Sequence, residues 1–212
     1  MNDSLITGTC ALDISKCFDT INHNILLKKL SFYGFTEETV NWFSSYLSHR
    51  GHKVYCHNKY SNVNYVNIGV PQGSVLGPTL FLLYVNDINN YLGEASCNMY
   101  ADDVLIYCSA SSSADLNVKL QSSIDAVKNW YDNNLLVVNA SKSSTMLITT
   151  RQKEAQINVN DFNMHLGNID LSIVKHCHYL GVEIDKNLNW NEHVNALALV
   201  LNGMVWSLSR LR

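Results

Sequence analysis

The sequence predicts an α+β fold in which an antiparallel sheet carries carboxylates and is backed by helices. Three observations lead there. Residues 97–100 and 104–108 are apolar runs rich in β-branched and aromatic side chains, and Ala101-Asp102-Asp103 between them reads as a tight turn, so the stretch reads as a hairpin. Cys10-Ala11-Leu12-Asp13-Ile14 is a second short apolar run with one carboxylate inside it. Helical patterns alternate with hairpins rather than with single strands, which argues against a parallel, doubly wound sheet.

Taken in order, polar residues from Thr20 lead into Ile25, Leu26, Leu27 and Leu30 at helical spacing, with Lys28 and Lys29 on the other side and Gly34 as a stop. A second helix is expected after Thr36. Glu37 and Glu38 suit its positive end, Val40, Phe43 and Leu47 form an apolar stripe that reads as core, and His49-Arg50-Gly51 close it. Residues 53–56 and 60–68 read as strands about Asn58-Lys59, with Asn62, Asn64 and Asn67 marking one wet face. Gly69-Val70-Pro71-Gln72-Gly73-Ser74 then reads as a loop into a buried helix over 80–85, with Pro78 tolerated in its first turn.

Residues 109–114 form a small-residue loop by composition. Leu116, Leu120, Ile124, Val127 and Tyr131 recur at helical intervals over 114–131. Residues 135–138 read as a strand, 151–161 as polar irregular surface, 178–185 as an ordinary strand and 190–212 as a final amphipathic helix.

At 212 residues, 47% hydrophobic and 16% charged, the chain suits one globular domain with room for part of a second. No apolar run reaches the roughly 18 residues of a membrane span. Met1-Asn2-Asp3-Ser4 lacks the basic start and apolar core of a signal peptide. Six cysteines without Cys-x-x-Cys spacing fit reduced thiols. These features imply an intracellular protein that is not secreted, with no membrane partner and with the nucleus open as its compartment. His176-Cys177-His178 and Cys56-His57 are neighbours on strands, where side chains alternate faces, which argues against a zinc site.

The chemistry gathers at the acidic residues. Two adjacent carboxylates about 4 Å apart repel by roughly 4 kcal/mol at an effective dielectric of about 20. Nothing cationic follows Asp102 and Asp103 in the next strand. Two readings stand: ordinary turn residues, or ligands of a hard divalent cation that relieves the repulsion. If the strand of Asp13 lies beside the later hairpin, three carboxylates meet, the layout that two-metal phosphoryl transfer needs.

Leu12-Asp13-Ile14-Ser15-Lys16-Cys17-Phe18-Asp19-Thr20, then Gly69-Val70-Pro71-Gln72-Gly73-Ser74, then Tyr100-Ala101-Asp102-Asp103 resemble the reverse transcriptase of LINE-type (non-LTR, jockey-like) retrotransposons. Asn139-Ala140-Ser141-Lys142 and Tyr179-Leu180-Gly181 extend the resemblance over nearly the whole chain. It implies a polymerase palm with partial fingers elements over residues 1–185 and a connecting helix or the beginning of a thumb over 186–212. It implies RNA-directed DNA synthesis from a primer 3′-hydroxyl with two Mg²⁺ ions, Mn²⁺ being a substitute. The implied partners are an RNA template, a DNA primer and deoxynucleoside triphosphates.

By the same resemblance Asp13 and Asp102 are metal ligands, the backbone oxygen of Ile14 completes the coordination, and Asp103 is a supporting carboxylate. Lys142 sits near the triphosphate, and Ser143 stands where the family more often has Thr. Phe18 lies beneath the incoming sugar, Gln72 and Gly73 contact the templating base and nucleotide, and Tyr100 belongs to the nucleotide site. Tyr179, Leu180 and Gly181 hold the primer end. The family places a basic fingers region before the first motif and a full thumb after the last helix. With both missing here and a net charge of −3, the chain alone is expected to be a poor polymerase. A group II intron-type reverse transcriptase, an RNA-templated RNA polymerase and an inert palm remnant that only binds are the competing readings.

Overall fold

The computed structural model describes residues 5–154, 157 and 162–210. Strand β1 (Ile6–Asp13) is followed by helices α1 (His23–Phe32) and α2 (Glu37–Leu47). Four short strands come next, β2 (Arg50–His52), β3 (Tyr55–Cys56), β4 (Lys59–Tyr60) and β5 (Asn64–Val66), then helix α3 (Gly77–Val85). Strands β6 (Ser96–Tyr100) and β7 (Asp103–Ala110) precede the long helix α4 (Ser113–Asn133), β8 (Ser144–Ile148) and the short α5 (Arg151–Glu154). The chain continues through β9 (His165–Leu166), β10 (Ile169–Asp170), β11 (Ser172–Ile173), β12 (His176–Tyr179) and β13 (Val182–Asp185) into α6 (Asn191–Ser209). It divides into two compact units, one from Met1–Asp13, Leu92–Ala126 and Asn139–Arg212, the other from Ile14–Tyr91 and Val127–Val138.

The first unit holds a five-stranded sheet in the order β11-β8-β1-β7-β6. Every pairing among β8, β1, β7 and β6 is antiparallel, and only β11 joins in parallel. Alternation along β1 sends Ile6, Gly8, Cys10 and Leu12 to one face, which is buried. The same face of β7 contributes Val104, Ile106, Cys108 and Ala110. Helix α4 backs this face with Leu116, Leu120 and Ile124, all fully buried. It comes so close that a Cβ at Gly8 would sit 2.9 Å from Leu120 Cδ2 and would push that side chain aside. The opposite face carries Asp13 and Asp103 at its end.

In the second unit Asn22 caps α1, its side chain accepting from the N–H groups of Asn24 and Ile25. Thr36 caps α2 as its sequence position predicts. The core gathers Leu26, Leu30, Leu80, Phe81, Tyr84 and Tyr131. Inside it Lys29 donates to Asp87 at 2.5 Å and to the Tyr84 carbonyl, and its ammonium lies over the Tyr84 and Trp130 rings. Burial pulls its pKa down, against the hold of Asp87.

Several local expectations are corrected. The α2 stripe is core only at Leu47, with Val40 and Phe43 half-buried. The inner hairpin turns at His57-Asn58, one residue early, because both take positive φ (49° and 60°) as a two-residue primed turn requires. Its strands have no wet and dry face, since residues 51–65 are all exposed. Strand β7 runs on to Ala110, leaving only two residues before α4. Residues 135–138 form one bridge, Val138 to Ile14, rather than a strand, because Leu135 takes φ +53° and interrupts the extension. Helix α5 stands at the start of the expected irregular segment, and residues 155–161, apart from Ile157, lie outside the described residues. Helix α6 forms, yet every described residue of it except His193 is exposed.

Candidate active site

The register of β1 against β7 builds the site. Asp13 pairs directly with Asp103, and Tyr100 of β6 pairs with Asp103 from the other side. The Asp13 N–H donates to Ser143 Oγ at 3.2 Å and its carbonyl accepts from Asn139 N–H at 2.8 Å, so both backbone groups point away from β7. Asp13 and Asp103 are therefore a non-hydrogen-bonded pair, the closer kind, with side chains on the same face. The hairpin closes through Ala101 and Asp102, with φ +53° at Ala101, as primed turns require at their first central residue. That puts Asp102 next to the pair, exposed in the turn.

Electrostatics agree with this crowding. Burial, and then the Asp102 and Asp13 carboxylates, push the Asp103 carboxyl above its ordinary range, while His178 opposes them. Lys142 Nζ lies 4.0 Å from Asp13 Oδ2, with most of its side chain in solvent. An exposed pair at that distance neutralises little.

A compact turn holds the first carboxylate. The Asn139 side chain accepts from Ser141 N–H at 3.2 Å and from Ser141 Oγ at 2.7 Å. Buried Ser143 donates its hydroxyl to the Asn139 carbonyl at 2.8 Å while accepting from Asp13. The positioning part of Ser143 was not foreseen. The Asn-x-Ser spacing is the signal that announces the turn, but only the fold brings it to Asp13.

The Tyr179-Leu180-Gly181 segment is a hairpin turn between β12 and β13, with φ of +48° at Leu180 and +82° at Gly181. A left-handed leucine costs about 1–2 kcal/mol, and such outliers gather at functional sites. Burial and then the Asp103 charge raise the Tyr179 hydroxyl pKa, which ties this hairpin to the carboxylates. Glu183 accepts from His178 Nδ1 at 2.9 Å and lies 3.5 Å from His176 Nδ1, a pairing no motif announced.

Phe18, Gln72 and Gly73 belong to the second unit. The Phe18 ring packs on Phe81 at 5.2 Å between centroids. Gln72 donates to Asp19 Oδ1 at 3.0 Å, and both line a cleft of about 420 Å³ with Arg50 and Gly69. Gly69 takes φ +75°, and a Cβ there would lie 2.7 Å from the Asp19 carbonyl oxygen. The Ile14–Val138 bridge is flanked by the Ser15 N–H to Val137 and Asn139 N–H to Asp13 bonds. That pattern turns the Ile14 carbonyl away from Val138.

Residues 4–184 match the family described as Reverse transcriptase (RNA-dependent DNA polymerase). The chain belongs to the reverse transcriptase family. It is 28% identical over 201 residues to the RNA-directed DNA polymerase from mobile element jockey of Drosophila funebris, covering 90% of this chain and 21% of that protein. It is also 28% identical over 192 residues to the probable RNA-directed DNA polymerase from transposon BS of Drosophila melanogaster, covering 87% and 21%. This reverse transcriptase chain thus spans about a fifth of the length of these relatives. In fold it resembles apo telomerase from Candida tropicalis, with TM-score 0.59 at 15% identity over 88% of this chain and 35% of that one. No helix among the described residues is long and apolar enough to cross a membrane.

Proposed function

We propose that this chain is the palm of an RNA-directed DNA polymerase of a non-LTR retrotransposon, extending a DNA primer on an RNA template. The observation that carries this reading is the Asp13–Asp103 register with Asp102 in the adjoining turn, in a chain of this family.

The donor set fits a hard divalent cation, since carboxylates crowd one sheet face with a single distant ammonium. Among the described residues no three His, Cys, Asp or Glu side chains converge on one point. Mg²⁺ asks for less than that. It keeps several waters and takes one or two carboxylates plus substrate phosphates. Asp13, Asp102 and the Ile14 carbonyl would hold it, with Asp103 in support and Mn²⁺ as a substitute. When bound, such ions activate the attacking 3′-oxygen and steady the leaving oxygen.

The chain's own groups do the rest. Lys142 stabilises the departing pyrophosphate or gives it a proton. Phe18 lies under the sugar and excludes a 2′-hydroxyl. Gln72 and Gly73 meet the templating base and the nucleotide, and Tyr100 belongs to the nucleotide site. The Tyr179-Leu180-Gly181 turn holds the primer end. Residues 1–185 act as the palm and 186–212 begin the thumb.

Primer extension on matched RNA and DNA templates, with and without Mg²⁺, by a complete polymerase that contains this chain tests the reading. Metal-dependent addition of deoxynucleotides on RNA is expected. Addition that ignores chelation of the metal, or that never occurs on RNA, would remove it.

A further inference from the structure

The hairpin arm from Arg50 to Val66 buries almost nothing of its own. Strands β2 and β5 pair at its base, and β3 and β4 pair at its tip. Residues 51–65 are all exposed, including Tyr55 (58%), Tyr60 (71%) and Tyr65 (63%). Two-stranded ribbons are marginal in water, and the exposed Tyr55–Tyr60 ring pair at the tip offers an aromatic surface to a partner.

Chemistry chooses the partner. From Thr39 to Asn86 the chain has no acidic residue, although its net charge is −3. Arg50 is occupied at the base of the arm, donating to the carbonyls of Leu47, Ile68 and Gly69. Lys53 and Lys59 remain exposed, with no carboxylate partner among the described residues. Tyr55, Tyr60 and Tyr65 stand among the amides of Asn58, Asn62 and Asn64, on an arm with two exposed lysines and no carboxylate, which suits a polyanion. Tyr55 and Tyr60 face each other across the ribbon with ring centroids 4.7 Å apart. The primed turn at His57-Asn58 fixes that pairing.

We propose that this arm docks single-stranded nucleic acid, its bases stacking on Tyr55, Tyr60 and Tyr65 and its phosphates meeting Lys53 and Lys59. Aromatic rings with nearby cations are the recurring means of holding unpaired strands without reading sequence. The surface deepens the polymerase reading and rests on it for RNA being the strand held. Single-stranded DNA offers the same chemistry.

Fluorescence anisotropy with labelled oligouridylate and oligothymidylate of about 15 nucleotides, in chelator and without nucleotide, tests it on the whole chain. Micromolar binding at about 25 mM salt is expected, tighter for the RNA arm of the experiment. Tyr55→Ser with Tyr60→Ser should weaken it roughly 5- to 100-fold, whereas Tyr55→Phe with Tyr60→Phe should not. Lys53→Gln with Lys59→Gln should lower the slope of log affinity against log salt by about 1.4. The lysine pair is on the surface, so it tests the arm even if the serine variant fails to fold. Variants that bind like the wild type, or a wild type that binds neither strand, would overturn the proposal. So would a wild-type dimer that the serine variant breaks, which would give the arm to a second copy. Arm-dependent binding, with no primer extension even by a complete polymerase that contains this chain, would sink the polymerase reading and leave the arm standing.

Discussion

Neutralising Asp103 should make the metal-free protein more stable. Asp103 faces Asp13 across a non-hydrogen-bonded pair and neighbours Asp102 in the turn. At a Cβ separation of about 5 Å, each like-charge pair is worth about 3 kcal/mol at an effective dielectric of 20 and about 1 kcal/mol in a water-like one. The carboxylates lie open to solvent, so screening favours the lower value. Asp103→Asn is therefore expected to add about 1 kcal/mol at pH 7 in chelator, read by urea unfolding. The pH dependence has a definite sign. Burial and the two neighbouring charges raise the Asp103 carboxyl in the folded state. Its contribution is then fully present below the ordinary carboxylate range and is lost as pH rises through the raised value. The advantage of the Asn variant should fade on acidification, and millimolar Mg²⁺ should favour the wild type instead. An Asn variant no more stable than wild type at pH 7 without metal would refute the reasoning.

Three further outcomes are expected. Ser143→Ala leaves the Asp13 N–H unpaired and should cost about 1–3 kcal/mol in urea unfolding, with extension losing kcat more than KM. Ser143→Thr keeps the hydroxyl and should retain both. Gly69→Ala combines a positive φ with a 2.7 Å approach to Asp19 and should lose more than about 2 kcal/mol. Gly73→Ala, with φ +78° and open space, should lose about 1 kcal/mol, and equal midpoints for the two would contradict the steric account. Phe18→Ala should raise incorporation of ribonucleotides relative to deoxynucleotides. An unchanged ratio with activity intact would leave Phe18 only its packing on Phe81.

What the sequence made legible was strongly periodic or carried by punctuating residues. The Asp102 hairpin, the start of α2 after Thr36, the Pro78 helix start and α4 all follow from local chemistry. The adjacency of Asp13 and Asp103 was only conditional, because strand pairing across some ninety residues has no local signature. Strand β8 escaped notice since Ser144 and Thr145 look polar, yet Thr145 is fully buried beside Cys10. The arm looked half-buried because alternating Asn and Val mimic a one-sided strand, but no core lies beneath it. Ser143 reads as a surface hydroxyl until the chain returns it to Asp13.

Under the proposed function, Asp102 acts with Asp13 in metal-dependent nucleotide transfer. Single-turnover primer extension on an RNA template with Mg²⁺ or Mn²⁺, by a complete polymerase that contains this chain, tests it by comparing wild type, Asp102→Asn and Asp170→Asn. Asp170 is a surface carboxylate paired with His165, and its variant should extend like wild type. Losing about 4 kcal/mol of transition-state stabilisation makes Asp102→Asn about 10³-fold slower. Extension by Asp102→Asn at the wild-type rate, with the same metal dependence, would contradict the account.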